Sequence, residues 1–192
     1  MSVLQFTPRR RQWHPNKVAV IQEHLSQLLH PVGDISETRC TAIAKNISYT
    51  FQYLQFLAQI NADLELPEVL TALNFKAFVL HGCAVVEALF YYVLASSGAE
   101  VDPRTMFKEL CERVESERLI NLGEDFYTKL SHLRDLRNRV HLHIRHIQST
   151  ADADYWALDR EDYKLLKSIL RALLTFDRFP CTDGRLDLRF LD

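Results

Sequence analysis

Apolar residues recur at helical spacing along most of the chain. From residue 37 to residue 62 they return every three or four positions and predict one buried helix face, formed by Ile43, Ile47, Phe51, Leu54, Phe56, Leu57 and Ile60. Residues 67–97 are apolar on nearly all sides and stop before Gly98, as is typical of a buried central helix with a glycine at its C-terminal end.

The same spacing predicts four further helices. Residues 15–30 form the first, residues 103–117 form one with Pro103 in its first turn, and residues 161–176 form the last. Another begins at Gly123 and continues through Ile144. Only five glycines and six prolines occur in 192 residues, which argues against the frequent hairpins of an all-β fold. The pattern predicts an all-α protein.

Length and charge narrow the function classes. A chain of 192 residues with 47% hydrophobic residues can fill one core, and its net charge of -2 provides no long-range attraction for a polyanion. Any contact with nucleic acid must therefore be local. The cysteines Cys40, Cys83, Cys111 and Cys181 are far apart, as expected of reduced thiols. We expect neither a signal peptide nor an apolar stretch long enough to span a membrane. We therefore predict a soluble, cytoplasmic protein.

Side chains suited to binding and catalysis are most concentrated in LRDLRNRVHLHIRH, residues 133–146. This segment contains four arginines and three histidines. On a regular helix, one side is apolar and includes Leu133, Leu136, Val140 and Ile144. A polar stripe beside it consists of Arg134, Arg137, Asn138, His141 and Arg145. The segment therefore predicts an amphipathic helix that presents guanidinium and imidazole groups together.

These groups suit phosphate chemistry on RNA. An imidazole exchanges protons with a hydroxyl near neutral pH, and a guanidinium stabilises charge on a phosphoryl group. Together they can promote attack of a 2′-hydroxyl on the neighbouring phosphate without a metal, with Asn138 orienting the phosphate. On spacing alone, a solvated surface whose arginine stems pack beside the apolar face is the more common interpretation.

The motif adds a family resemblance. The stretch LRDLRNRVHLH, preceded by a helix hairpin containing FKAFVLHGCAVVEALFYYVL, resembles the HEPN superfamily of all-α domains associated with nucleotides or RNA. Its members carry an arginine, often followed by asparagine, and then a histidine separated from the arginine by four to six residues. Arg137 and Asn138 match the first half of this motif. Two histidines are candidates for the second half of the motif. His143 fits the spacing from Arg137, and His141 fits it from Arg134.

The resemblance implies a four- to five-helix bundle with an added N-terminal helix. Residues 1–34 would form an arm and the first helix, residues 35–177 the bundle, and residues 178–192 a tail packed on the same domain. Family members dimerise so that two motifs line one cleft. Active members are metal-independent endoribonucleases, often toxins or phage-defence effectors, that leave a 2′,3′-cyclic phosphate.

The resemblance also implies the partners and the site. We expect a ribonuclease acting on RNA as a homodimer, with no cofactor and with an antitoxin protein as a candidate regulator. Its catalytic candidates are Arg137, Asn138, His143, His141 and Arg134, while Arg139 and Arg145 are candidates for RNA binding. The alternative is a non-catalytic module that binds a nucleotide, RNA or a protein partner, and a weaker one is a scaffold.

Four other features of the sequence bear on the expected site. Glu87 lies within the apolar third helix, where it either pairs with an arginine of the motif helix or occupies an exposed seam. His81 is expected in the core or at a seam, not as a ligand, and Cys83 is expected in the core. The spacing of His141, His143 and His146 does not converge on one ion, so we expect no metal. The arm with Arg9, Arg10, Arg11 and Trp13 is either a contact for RNA or antitoxin or a solvated terminus.

Overall fold

A computed structural model describes residues 15–33, 35–102, 104–139, 158–176 and 186–192. Within these ranges the chain forms six α-helices and no β-strand, which confirms the predicted all-α class. The helices are α1 (Val18–Leu28), α2 (Glu37–Asp63), α3 (Glu68–Ser96), α4 (Phe107–Ser116), α5 (Gly123–Arg139) and α6 (Arg160–Thr175). A short 3-10 turn, Arg189–Leu191, follows near the C-terminus.

Helix α3 is the centre of the bundle, as its composition predicts. It packs against α2, α4, α5 and α6, and Phe78, Val86 and Phe90 have no exposed surface. At Gly82 the side chain of Leu166 from α6 comes so close that a methyl group on Gly82 would overlap with it. The absence of a side chain at this position therefore sets how closely α3 and α6 pack.

One expectation about α3 is wrong. We expected no apolar stretch of membrane-spanning length, yet by length and composition Glu68–Ser96 is long and apolar enough to cross a membrane. In the bundle, 61% of the most apolar part of this helix is buried. The apolar surface that makes this helix resemble a membrane span is the surface on which the neighbouring helices pack.

Two helix ends follow local capping rules, and the start of α4 differs from its prediction. Helix α3 stops before Gly98, whose φ of 86° only glycine adopts easily. Helix α6 begins with a capping box, in which the Asp159 carboxylate accepts from the backbone N–H groups of Glu161 and Asp162. Helix α4 begins at Phe107 and not at residue 103, because Asp102 closes a separate turn by accepting from Arg104 N–H at 2.7 Å.

Helix α1 and the C-terminal residues belong to the same core as the other helices. Leu25 of α1 and Leu191 of the 3-10 turn are buried in it. Asn16 joins the two ends: its side chain donates to the Asp187 carbonyl at 3.0 Å and accepts from Asp187 N–H at 2.9 Å. Asn16 N–H also donates to the Gln55 side chain of α2 at 3.1 Å. The C-terminal residues are thereby fixed beside α2.

Helix α2 departs from its predicted apolar stripe at one residue. Phe51, Leu54 and Leu57 are buried as predicted, but the side chain of Phe56 is 42% exposed. Its ring stacks on Tyr53, with centroids 6.3 Å apart. Helix α2 packs mainly on α1 and α3, and Phe56 lies outside both contacts.

Candidate functional site

Helix α5 presents its first two motif arginines at the edge of its buried face. Of the apolar residues predicted to face the core, Leu133 and Leu136 are buried, as are Phe126 and Leu130 earlier in the helix, while Val140 and Ile144 lie outside the described residues. Arg134 and Arg137 follow Leu133 and Leu136 directly, which places each of them on the flank of this face, and both are half-buried. A guanidinium held at such an edge is partly desolvated and close to neighbouring helices.

From residue 140 onward the motif lies outside the described residues. Asn138 and Arg139 have helical backbone. The predicted continuation of α5 through Ile144, with His141, His143 and Arg145, lies beyond the described part of the chain, as does the N-terminal arm with Trp13. The structure therefore bears on Arg134, Arg137 and Glu87 among the predicted site residues.

Glu87 of α3 and Arg137 of α5 form the electrostatic centre of the site. Burial raises the pKa of the Glu87 carboxyl, and the positive charge of Arg137 opposes this shift. Glu87 is half-buried, so it lies at a seam between helices and also within reach of a motif arginine's charge. The supporting role of Glu87 beside the motif arginines stays a prediction.

Arg134 is directed to a different neighbour. Its Nη1 lies 3.2 Å from Oε1 of Glu112 on α4, and Lys108 Nζ lies 3.7 Å from the same oxygen. The Arg134 side chain is 24% exposed, so this ion pair is only partly screened by water. The arginines on neighbouring turns of α5 therefore diverge, one toward α4 and the other toward α3. Sequence reasoning missed Glu112, because no spacing rule relates α4 to α5.

The two thiols near these arginines are unsuited to nucleophilic chemistry. Cys83 is fully buried on α3, and burial raises the pKa of its thiol to about 12. Burial also raises the pKa of the Cys111 thiol on α4. Because the thiolate is the reactive form, neither side chain is a nucleophile near neutral pH. Cys83 packs in the core, as predicted.

A groove of about 370 Å³ opens beside Glu87 between α2, α3 and α4. Arg39 lies on its wall with its guanidinium 4.7 Å from the centre of the Tyr91 ring. The groove gives small polar molecules access to the Glu87 side of the pair. A carboxyl and a guanidinium at such an edge can together orient a phosphate or hold a proton near it.

The described histidines lie away from this pair. His81 is half-buried at the seam of α2 and α3, with its ring edge-on to Tyr53 at 4.9 Å, as the sequence predicted. His132 of α5 is exposed, and its Nε2 lies 3.8 Å from Asp162. No group of three metal-binding side chains occurs within the described ranges.

Comparisons of the chain with models of protein families, with curated proteins and with solved structures gave no match. The functional argument therefore depends on the side chains described above and on the motif in the sequence.

Proposed function

We propose that the protein is a metal-independent endoribonuclease of the HEPN type. It cleaves RNA in the cytoplasm by attack of a 2′-hydroxyl on the adjacent phosphate, and it acts as a toxin or phage-defence effector. One observation carries the proposal: the motif's Arg137 is half-buried on the edge of α5, and its charge acts on the carboxyl of Glu87.

Arg137 is the group that stabilises charge on the phosphate. A guanidinium carries five N–H donors, so a contact with one carboxylate leaves donors for a phosphate oxygen. Holding the side chain in place before the reaction lowers the entropy lost when the transition state forms. Glu87 is therefore a positioning residue, and the transition-state contact belongs to Arg137.

The remaining motif residues complete the reaction. His143 or His141 transfers the proton, and Asn138 orients the phosphate. Arg134 is held by Glu112 and supports the same face of α5. Arg139 and Arg145 bind the RNA backbone on either side. The mechanism requires neither metal nor cofactor, since the imidazole and guanidinium groups supply the acid-base and electrostatic terms.

The active form in this proposal is a homodimer. Two copies of α5 would lie side by side across Leu142 and combine two shallow polar stripes into one cleft for RNA. An antitoxin protein would inhibit the enzyme by covering this cleft. Light scattering should give twice 22.4 kDa at micromolar concentration, and a fully active monomer would contradict the arrangement.

A second function, a non-catalytic binding or dimerisation module, is favoured by the same charge interactions. Arg134 has Glu112 as its partner, and the charge of Arg137 acts on Glu87. Charges compensated in this way also serve to hold helices together. On this alternative, the motif helix would bind a nucleotide, RNA or a protein partner without cleaving anything.

RNA cleavage in the presence of EDTA separates the two functions. Purified protein should cut total RNA and leave fragments with 2′,3′-cyclic phosphate ends. The double variant His141→Ala/His143→Ala, purified in the same way, controls for contaminating nucleases and should leave RNA intact. Intact RNA with the wild-type protein, or equal cleavage by the double variant, would contradict the ribonuclease proposal.

A further inference from the structure

Exposed apolar side chains of the described residues gather on two helices. Seven of the ten large apolar side chains that are exposed lie in α2 or the first half of α3. They are 40–52% exposed and comprise Tyr49, Tyr53, Phe56, Val69, Leu70, Leu73 and Leu80. Single exposed apolar residues are common on soluble proteins, but a contiguous group of them marks an interaction site.

Five of these side chains form two rows. Tyr49, Tyr53 and Phe56 follow the helical spacing i, i+4 and i+7 on α2, and Leu73 and Leu80 follow the spacing i and i+7 on α3. Each row therefore occupies one side of its helix. The two rows together are the α2–α3 face.

The two rows lie on the same side of the helix pair. The Tyr53 ring lies edge-on to the His81 ring at 4.9 Å, so the α2 row borders α3. Thr50 of α2 and Ala84 of α3 both line the groove beside Glu87, and they lie one turn from Tyr53 and Leu80 respectively. The α2–α3 face and this groove therefore form one continuous surface.

The α2–α3 face carries charge of one sign. Residues 38–62 and 69–86 contain no aspartate or glutamate. Lys45 lies one turn before Tyr49, with its Nζ 6.0 Å from the centre of the Tyr49 ring, and Lys76 lies between Leu73 and Leu80 on α3. Neither lysine forms an ion pair with a carboxylate of the described residues. The face therefore combines an apolar centre with two cations that no such carboxylate neutralises.

This chemistry discriminates among occupants. A second copy of the face would bring two more lysines and no carboxylate, so like charges would meet across a two-fold interface. An anionic membrane attracts clusters of about four to eight basic residues at about 1 kcal/mol each, and this face has only Lys45 and Lys76. A protein segment with an apolar ridge between carboxylates matches both the apolar rows and the lysines.

We propose that the α2–α3 face docks an amphipathic helix of a partner protein, with its apolar ridge along the two rows and its carboxylates beside Lys45 and Lys76. Two packed helices leave a shallow seam on their surface, and a third helix packs its ridge into such a seam. Exposed tyrosines suit this contact, because they combine apolar area with a hydroxyl at the edge. The proposal does not rest on the ribonuclease activity, since none of these residues belongs to the motif of α5.

Two synthetic helical peptides test the face by fluorescence anisotropy with the full chain. They share one leucine ridge and differ only in the residues that flank it, glutamate in one peptide and lysine in the other. We expect saturable binding of the glutamate peptide and at least about tenfold weaker binding of the lysine peptide. Equal affinity for both peptides would overturn the proposal in favour of non-specific apolar contact. No saturable binding of the glutamate peptide would also overturn it.

Charge-reversal variants place the binding at this face. Lys45→Glu/Lys76→Glu should reverse the preference between the two peptides, whereas Lys129→Glu on α5 should leave it unchanged. Lys45→Glu alone acts at an exposed position and remains informative if the double variant fails to fold, because it should reduce the preference for the glutamate peptide. An unchanged preference in Lys45→Glu would overturn the proposal.

An apolar variant tests the other occupants. Leu80→Gln should weaken binding of the glutamate peptide about tenfold, and Val20→Gln on α1 is the matched control. Light scattering should give the same mass for Leu80→Gln as for the wild type, and a smaller mass would overturn the proposal in favour of a second copy. The wild type should not float with phosphatidylglycerol vesicles. Flotation that Leu80→Gln abolishes would overturn the proposal in favour of a membrane.

Discussion

Helices α5 and α6 each carry a row of basic side chains, but their charges are compensated differently. On α5, Arg134 pairs with Glu112, and the charge of Arg137 acts on Glu87. On α6, Lys164 pairs with Glu161 on the same helix and Arg171 pairs with Asp192 near the C-terminus.

The difference separates two uses of a basic helix face. A guanidinium with an acidic neighbour is held in one geometry, which suits chemistry at a single phosphate. Ion pairs between exposed side chains, such as those of α6, are screened by water and contribute little. We therefore expect α5 to determine catalysis, and the variants below test this expectation.

The largest effect should come from the histidine that follows the arginines of α5. Replacing the residue that transfers the proton by alanine should reduce RNA cleavage about 10²- to 10⁴-fold, because that is the usual contribution of general acid-base catalysis. We expect His143→Ala to have this effect and His141→Ala a much smaller one. His132→Ala, on the exposed part of α5, is the control. Wild-type activity in both motif variants would remove histidine from the mechanism.

Arg137→Ala should reduce cleavage by about 10²- to 10³-fold, as expected when one preorganised charge-stabilising group is lost. Arg137→Lys should restore little, since an ammonium lacks the planar fork of donors. Arg113→Ala on α4 is the matched surface control. Wild-type cleavage by Arg137→Ala would contradict its role in stabilising charge on the phosphate.

Gly82→Ala should destabilise the protein by about 1–3 kcal/mol, because the added methyl group forces the fully buried Leu166 out of its place between α3 and α6. Urea unfolding measures the change. Ala84→Ser, at an exposed position of the same helix, should stay within about 0.5 kcal/mol of wild type. A stability gain in Gly82→Ala would show that helix propensity outweighs the contact with α6.

The smallest effect concerns Glu87 and depends on pH. Burial raises the pKa of its carboxyl, so the folded state favours the protonated form. Relative to Glu87→Gln, the wild type should lose stability as pH rises from the ordinary glutamate range through the raised pKa. At acid pH the two proteins should be equally stable. Urea unfolding between pH 4 and 8 checks this, and a wild-type advantage that grows with pH would contradict it.

Local rules made much of the fold predictable. The length of α2, the end of α3 at Gly98 and the buried face of α5 follow from hydrophobic spacing and from helix-ending residues. Phe56 was misplaced because the sequence shows an apolar residue at helical spacing but not which neighbours reach it. The start of α4 was misplaced because Asp102 forms a turn that competes with the helix start favoured by Pro103.

The candidate sites were also only partly predictable from the sequence. The α5 motif is contiguous in sequence, so Arg137 was found and its link to Glu87 was among the expected alternatives. The ion pair of Arg134 with Glu112 joins separate helices and had no sequence signal. The α2–α3 face combines residues 49–56 with residues 73–80. Its existence depends on tertiary packing, which spacing along one helix does not report.

Cleavage of a substrate lacking a single 2′-hydroxyl tests the central claim most directly. An oligoribonucleotide with a mapped cut site is compared, in EDTA, with the same oligonucleotide carrying one 2′-deoxy sugar on the 5′ side of the scissile phosphate. The proposed mechanism predicts that the deoxy substrate is not cut at that phosphate, while the all-ribose substrate yields a 2′,3′-cyclic phosphate end. Cleavage of the deoxy substrate at the same phosphate would contradict 2′-hydroxyl attack.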